Sequence, residues 1–308
     1  MILCFDIGGT AIKPAEAHSV DHIVIGQRIP TPAHDFVAFI AALRQVVVAS
    51  SVPPIGLAFS IAGVVDTETG LATVANIPCL TGRPLKSDLE QALGLPVVLA
   101  NDADCFTLAE ALIGAGQGHE VVFGLILGTG VGGGVVVRGE LINQGGFAGE
   151  IGHAPVAQRV FDEYDLSLPA FACGCGLHGC LDAICSARGI EKLHQFLHGN
   201  IETDSRTIVA AWAADEPAAS RTIAIWLAIL SGPLALVQNV LGAGVVVVGG
   251  GLSSAPELIA ALDAAVRKRC LQRLTRPLVI PAQCAAEPGL IGAAILGLRK
   301  IGKQNEIR

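Results

Sequence analysis

Charge is what this sequence has least of. Asp, Glu, Lys and Arg make up 15% of its 308 residues, while 52% are hydrophobic. Such a chain has ample apolar surface to bury and little charge to hold it open, which excludes it from the disordered class. Its length suits one large core or two lobes of ordinary size. No basic stretch offers a stripe for phosphates and the net charge is -7, so no nucleic-acid partner is expected. The opening MILCFDIGGT has no basic n-region, no continuing apolar run and no cleavage site. It does not read as a signal peptide, and the chain is expected in the cytoplasm. Nine cysteines, an odd number without a secretion signal, exclude a disulfide framework. No Gly-x4-Gly-Lys-Ser/Thr occurs, which excludes a P-loop kinase.

One uncharged stretch, Thr222 to Pro256, is long enough to cross a bilayer. Pro233, Gln238 and Asn239 interrupt its first part, and the second is a glycine-bounded run of valines. It reads as a buried helix followed by a strand, and no membrane partner is expected.

Glycine, by contrast, is plentiful, at 37 residues. That many glycines mark tight turns or close approaches of backbone to ligand. Residues 2 to 6 read as a buried strand ending in an acid, followed by a Gly8-Gly9 turn and a returning strand at 22 to 29. A helix is expected from Phe36 to Ala49 with Asp35 as cap, and another after Pro84 on the repeat Leu85, Leu89, Leu93. PVVLA is a strand, and Asn101-Asp102 sit where it passes into a helix, on the sheet edge where open α/β sheets bind ligands. VVFGLIL, GTGVGGG and GVVVRGELI then repeat the strand, glycine turn and returning strand of the opening. The repetition points to a duplicated α/β core, with a glycine-rich turn from each copy facing a shared cleft. Residues 154 to 172 read as irregular, Leu181 to Leu197 as one helix, and Ser254 with Glu257 as a capping box.

Gly128, Gly130 and Gly133 have the spacing of a dinucleotide fingerprint, but a strand follows them, where the fingerprint needs a helix. The turn can still hold phosphate through backbone N–H groups, or be a turn with no ligand. Asp6-Ile7-Gly8-Gly9-Thr10 is a second such turn, with a carboxylate and a hydroxyl suited to Mg²⁺ and its water. His153, Cys173, Cys175 and Cys180 form a closed tetrahedral zinc set, with His178 as a rival ligand and buried thiols as the plainer alternative. Asp102 is a candidate base for a hydroxyl nucleophile, and equally a candidate helix cap. Glu150 and Asp182 are acids beside the zinc segment, suited to sugar hydroxyls or to solvated turns.

These pieces together resemble the ROK family of bacterial sugar kinases and regulators, which has the two-lobed, actin-like (ribonuclease-H-like) ATPase fold. The matching segments are DIGGT, ANIP, LANDADCF, LILGTGVGGG, GEIGH, CGCGLHGC and VVVGGGLS, spread over essentially the whole chain. The resemblance implies an N-terminal lobe of residues 1–118 completed by a helix at 287–300, and a second lobe of 119–286. It implies that Asp6, Gly8, Gly9 and Thr10, with Gly128, Thr129, Gly130, Gly132 and Gly133, cradle the ATP phosphates, and that Gly249, Gly250 and Gly251 lie near the adenosine. It implies Asp102 as catalytic base, with Asn76, Asn101, Glu150, His153 and Asp182 also on the sugar. His153 would serve zinc through one ring nitrogen and sugar through the other. ATP, catalytic Mg²⁺, structural Zn²⁺ and a homodimer belong to the same expectation.

TGRPLKSDLEQAL and NDADCFTLAE resemble the branch that phosphorylates N-acetyl-D-glucosamine at its 6-hydroxyl. Glucose and N-acetylmannosamine are the alternative substrates, and a silent sugar-binding protein is the alternative class. Three positions depart from the family: Ala11 stands where Lys is usual, Ala62-Gly63 where Pro-Gly is, and Asp182 where Glu is. The family's repressors carry an N-terminal helix-turn-helix, whereas this sequence opens directly on its first strand, which disfavours that role.

Overall fold

The run ILCFDI alternates no polar residue until its end, and it becomes the central strand of the first sheet, buried on both faces. The computed structural model describes residues 1–74, 76–142, 145–156, 164–199, 202–284 and 287–302. It falls into two units: residues 1–112 with 140–148 and 284–308, and residues 113–139 with 149–283.

In the first unit the strands are β1 (Ile2–Ile7), β2 (Ala11–Ser19), β3 (His22–Ile25), β4 (Ile29–Pro30), β5 (Gly56–Ile61), β6 (Gly63–Val65), β7 (Ala72–Val74) and β8 (Val97–Asn101). The sheet order is β3-β2-β1-β5-β8, with β4 also on β2 and β6-β7 a separate hairpin. β1 and β2 are antiparallel, while β1, β5 and β8 are parallel. Parallel strands deliver their carboxyl ends to one edge, which places Asp6, Ser60 and Asn101 there together. Phe5 stacks on Phe59 across β1 and β5, with ring centroids 4.9 Å apart. The helix Pro288–Gly297 lies close on this sheet because its glycines leave room. A Cβ on Gly297 would stand 2.6 Å from the Ile2 side chain. The short strand β11 (Glu140–Leu141) belongs to the 140–148 segment, and its Glu140 accepts from Arg299 at 3.1 Å.

The second unit repeats the plan. β9 (Val121–Leu127) and β10 (Val131–Val137) form the antiparallel hairpin, and β12 (Val245–Gly249) and β13 (Val279–Pro281) continue the sheet in parallel from β9. Two mixed sheets with the same hairpin-plus-parallel order are the duplicated α/β core that the sequence implies. The helix Pro217–Leu241 is long and apolar enough to cross a membrane by length and composition. Ile223, Trp226, Ile229, Leu230 and Leu234 of that helix are buried in the second unit's core. The Trp226 indole N–H donates to the Cys185 carbonyl at 3.0 Å.

Several local expectations are corrected. Residues 22 to 29 do carry strand of the same sheet, as His22–Ile25 and the start of Ile29–Pro30, but the strand that returns directly from the glycine turn is Ala11–Ser19. Ile12, Ala15 and Ala17 supply its buried face, and Pro14 in mid-strand disguises the pattern. The helix expected over Leu181 to Leu197 is two helices, Asp182–Cys185 and Ala187–His198. Ser186 adopts an extended backbone between them and its hydroxyl accepts from the Gly189 N–H at 3.1 Å, capping the second. The Ser254 capping box does not form. Ala255 is the cap of helix Pro256–Arg267, and Ser254 Oγ donates back to the Gly251 carbonyl at 2.7 Å. Of the irregular stretch 154 to 172, residues 157–163 lie outside the described residues.

Candidate active site

In the first unit the chain turns at Gly8-Gly9-Thr10 between β1 and β2, closed by a bond from the Gly8 N–H to the Ala11 carbonyl at 3.0 Å. Thr31 Oγ1 donates to the Gly8 carbonyl at 2.7 Å, which fixes the turn from the side. Thr10 is exposed at the tip. Gly9 is where the turn meets Asn76: a Cβ there would lie 2.8 Å from the Asn76 Cβ. The structure thus brings Asn76 against the DIGGT turn, both in one unit.

Asp6 ends β1 in a network that the sequence reading did not include. Its Oδ1 accepts from Ser60 Oγ at 2.9 Å and its Oδ2 from Lys13 Nζ at 3.1 Å. Lys13 also reaches Glu287 at 2.7 Å, and Arg28 reaches Glu287 at 2.6 Å. Burial pushes the Glu287 carboxyl upward, but hydrogen bonds and charge from Lys13 and Arg28 outweigh it and hold it below its ordinary value. Gly289, in the first turn of helix Pro288–Gly297, lets that helix start close to Asp6, since a Cβ there would sit 2.8 Å from Oδ1. The N-terminal end of that helix and the Lys13 ammonium both stand beside the Asp6 carboxylate. The Asp6 carboxylate and the Ser60 hydroxyl are hard oxygen donors of the kind Mg²⁺ prefers. Ser60, a polar residue completely buried at a strand end, was the available signal for this network.

Asn101 and Asp102 divide the work at the β8-to-helix corner. Asn101 Oδ1 accepts from the N–H groups of Ala103 at 2.8 Å and Asp104 at 3.4 Å, and its Nδ2 donates to the Gly63 carbonyl at 2.9 Å. Asn101 therefore caps helix Asp102–Ile113. Asp102 opens that helix, half-buried, with Oδ1 accepting from the Ala103 N–H at 2.9 Å. A Cβ on Gly146 would lie 2.6 Å from the Asn101 Cβ, so the chain at Gly146 passes directly over this corner.

The second unit assembles the remaining expected residues around the β9–β10 turn. Thr129 is exposed at its tip, and the Gly128 N–H bonds to the Gly130 carbonyl at 3.0 Å. Gly250, at φ 85°, presses on the start of this turn, where a Cβ would lie 2.8 Å from the Gly128 nitrogen. Gly249 is buried as the last residue of β12, and Gly251 is exposed beyond it. Gly132 and Gly133 lie inside β10, and Gly133 is buried facing the Gly149 carbonyl and the Phe123 ring. That close approach seats the GEIGH segment on β10 and sets Glu150 and His153 beside the strand.

His153 Nδ1 stands 3.7 Å from Cys173 Sγ, and Cys175 Sγ stands 3.8 Å from Cys180 Sγ. The four ligand atoms of His153, Cys173, Cys175 and Cys180 all lie within 4.8 Å of one another. Tetrahedral zinc with Zn–S arms of about 2.3 Å puts neighbouring sulfurs about 3.8 Å apart, so the set fits zinc. His178 is exposed and stands outside the four. The knuckle is closed by the Cys173 N–H to the Leu177 carbonyl at 2.8 Å and the Gly176 N–H to the Cys173 carbonyl at 3.1 Å. The other ring nitrogen of His153, Nε2, faces Glu150 Oε2 at 3.6 Å, the carboxylate partner that a metal-bound imidazole usually has. Burial raises the Glu150 carboxyl above its ordinary range. His153 opposes that rise and Asp182 adds to it. Asp182 does not stand apart as a sugar ligand alone: its Oδ1 accepts from the Val131 N–H at 2.7 Å.

The model of the ROK family matches residues 2–300. An N-acetylgalactosamine kinase, AgaK, of Shewanella sp. (strain ANA-3) is 34% identical over 298 residues, 95% of each chain. An N-acetyl-D-glucosamine kinase of Pectobacterium atrosepticum is 32% identical over 299 residues, covering 96% of this chain and 98% of its own. The crystal structure of a ROK hexokinase from Thermus thermophilus superposes with a TM-score of 0.84 at 31% identity, over 98% of this chain and 99% of its own.

Proposed function

The chain belongs to the ROK family and is an ATP-dependent sugar kinase, and from that premise we propose that it phosphorylates the 6-hydroxyl of an N-acetylhexosamine, N-acetyl-D-glucosamine first. Asp102 accepts the hydroxyl proton. Asn76, Asn101, Glu150 and His153 hold the sugar, and the turns at 8–10 and 128–130 hold the phosphates through backbone N–H groups. The observation that carries the reading is the division of labour at the end of β8. Asn101 accepts from the N–H groups of Ala103 and Asp104, so the helix start keeps a cap of its own beside the Asp102 carboxylate, which shares the Ala103 N–H. Little covalent chemistry falls to the protein in phosphoryl transfer, where positioning and charge stabilisation dominate.

Mg²⁺, when bound, neutralises charge on the transferring phosphates, and Asp6 would hold it. Zinc would be held by His153, Cys173, Cys175 and Cys180, where four protein ligands leave no open position. Its contribution is order: CGCGLHGC has one large apolar side chain, Leu177, and that is exposed.

Two relatives of nearly equal identity, named for N-acetylgalactosamine and N-acetyl-D-glucosamine, support an acetylated amino sugar and make the first the rival substrate. A coupled ADP-release assay with both sugars, N-acetylmannosamine and glucose tests the reading. N-acetyl-D-glucosamine should give the highest kcat/KM. A tenfold preference for another sugar would replace it, and no turnover with any of the four would overturn the substrate class.

A further inference from the structure

Two helices of the second unit meet through histidine as well as through apolar side chains. His194 and His198 stand one turn apart on helix Ala187–His198, with ring centroids 4.8 Å apart. Both rings reach the hydroxyl of Thr222 on helix Pro217–Leu241. His194 Nδ1 lies 2.9 Å from Thr222 Oγ1, and His198 Nε2 lies 3.2 Å from it. Thr222 and His194 are buried, and His198 is half-buried. A hydroxyl has one proton and two lone pairs. Thr222 Oγ1 donates its proton to the Ala218 carbonyl at 3.0 Å, one turn back in its own helix. A carbonyl can only accept, so both lone pairs are left for the histidines and both ring nitrogens donate. That fixes the tautomer of each neutral ring: hydrogen on Nδ1 of His194 and on Nε2 of His198. The histidine helix begins at Ala187, whose N–H ties the second glycine turn at Gly128, so this junction secures the far end of the helix that carries the tie.

We propose that His194, His198 and Thr222 form an acid-sensitive latch between helices Ala187–His198 and Pro217–Leu241, closed while both rings are neutral and weakened when they take up protons. The N–H groups that close the latch are already present in the neutral rings, so a further proton brings no new bond to Thr222. It adds charge where little water reaches and beside a second ring. The carboxylates nearby are engaged elsewhere. Glu216 caps helix Pro217–Leu241 through the N–H groups of Ala218 and Ala219. Glu191 accepts from the Ser205 N–H, and Asp204 from the Thr207 N–H, where helix Ser205–Ala213 begins. Arg206 and Arg221 are the cations of the two partner helices nearest these positions in sequence, and Asp182 belongs to the short helix at the opposite end of Ala187–His198. Burial first, then the charge of His198, holds the His194 ring below its ordinary value, and Glu216 opposes them only in part. The unfolded chain, with histidines near about 6.5, therefore takes up more protons than the folded one. The latch's contribution is full above that pH and is lost as pH falls from there through the lower folded value.

The test compares the full-length parent with a variant that keeps both donors and cannot titrate. His194→Asn places an amide N–H near the position of Nδ1, and His198→Gln places one near that of Nε2. Urea unfolding of parent and double variant is followed from pH 7.5 to 5.5. Losses common to both, including any at the cysteine knuckle, cancel in the comparison. The folding equilibrium constant of the parent should fall about threefold to tenfold more than that of the variant over this range. Parallel pH dependence in the two proteins would overturn the inference, and so would a steeper fall in the variant. If the double variant does not fold, His198→Gln alone, at the half-buried ring, takes its place and should remove part of the parent's pH dependence, and a slope equal to the parent's would overturn the inference. Nitrogen-15 NMR of the imidazole rings in the parent at pH 7.5 is an independent check that needs no variant. It should find hydrogen on Nδ1 of His194 and on Nε2 of His198. Hydrogen on Nε2 of His194, or a His194 ring already charged at that pH, would overturn the latch.

Discussion

The two hairpins share a plan and differ in what steadies them. The β1–β2 turn is surrounded by side-chain charge: Asp6, Lys13, Glu287 and Arg28 form one connected set. The β9–β10 turn is held mainly by backbone. Gly250 abuts it, the Ala187 N–H ties it, and a single carboxylate, Asp182, reaches it. A duplicated fold repeats the backbone path because the path is set by sheet packing. It need not repeat the chemistry, since turns are surface segments that accept different supports. The asymmetry extends to the strand ends. β8 closes on Asn101-Asp102, whereas its counterpart by sheet position, β13, closes on Pro281. Only the first copy carries an acid at that corner.

The largest expected effect breaks the comparison at that corner. Asp102→Ala should cut kcat by about 10²-fold or more, the usual scale for removing an acid–base group. The helix should survive, because its cap is Asn101. Circular dichroism and the urea midpoint should match the parent. Turnover within a few-fold of the parent would remove Asp102 from the chemistry.

A matched pair of glycine substitutions sharpens the contrast between turns. Gly250 has φ 85° and faces backbone atoms of Leu127 and Gly128. Neither the left-handed conformation nor the crowding can be relieved by a rotamer change, so Gly250→Ala should cost about 3 kcal/mol. Gly9 would bring its Cβ against Asn76, an exposed residue. The contact includes the Asn76 main-chain carbonyl at 3.1 Å, but no left-handed conformation adds to it, so Gly9→Ala should cost less, about 2 kcal/mol. Urea unfolding of the two variants gives the comparison, and equal costs would show that the turns are supported alike.

The metal-bearing knuckle belongs to the second turn's surroundings and has no counterpart among the described residues of the first unit. Cys175→Ser should lose zinc and raise the sugar KM about tenfold, more than the ATP KM. His153 is itself a ligand and stands beside Glu150, so the sugar side moves first. The turn retains the Gly250 and Ala187 supports. Metal analysis of the purified protein is the direct check. Less than a tenth of an equivalent of zinc in fully active parent protein, purified without chelator, would rule the site out.

Some of this was legible in the sequence because it is local. The β9–β10 hairpin is a β-branched run meeting glycines, and three of the four zinc ligands fall within one knuckle. The asparagine and aspartate of β8 sit at a strand end that an apolar run announces. What was hidden is either disguised or distant. Pro14 hides β2, and Ser186 breaks a helix whose apolar spacing continues across it. Pro256 follows Ala255 at the helix start, and Ser254 serves the glycine loop instead of a capping box. Lys13 meets Glu287 across 274 residues and Asp182 meets Val131 across 51, and no periodicity carries such pairings. The exposed Leu177 in an otherwise polar knuckle was legible as composition, but the grip of Asp182 on the turn is visible only in three dimensions.

The smallest expected effect tests whether charge steadies the first turn at all. Glu287 is held below its ordinary value by Lys13 and Arg28, against the opposing effect of burial. A carboxyl depressed in the folded state contributes stability that is fully present above its unfolded pKa, about 4.3, and is lost as pH falls through the folded value. Glu287→Gln removes that contribution. The Lys13 ammonium keeps Asp6 as a partner, and Arg28 is largely exposed, so the cost at pH 7 should be about 1 kcal/mol or less. Parent and variant should therefore differ slightly in urea midpoint at pH 7 and converge as the pH is lowered from about 4.3 toward 3. Added salt should also narrow the gap at pH 7, because a partly exposed ion network is screened. A gap that stays constant with pH and salt would mean that Glu287 acts through the fit of its side chain against Lys13 and Arg28 and not through its charge. In that case the charge contrast between the two turns would reduce to Asp6 and its immediate partners.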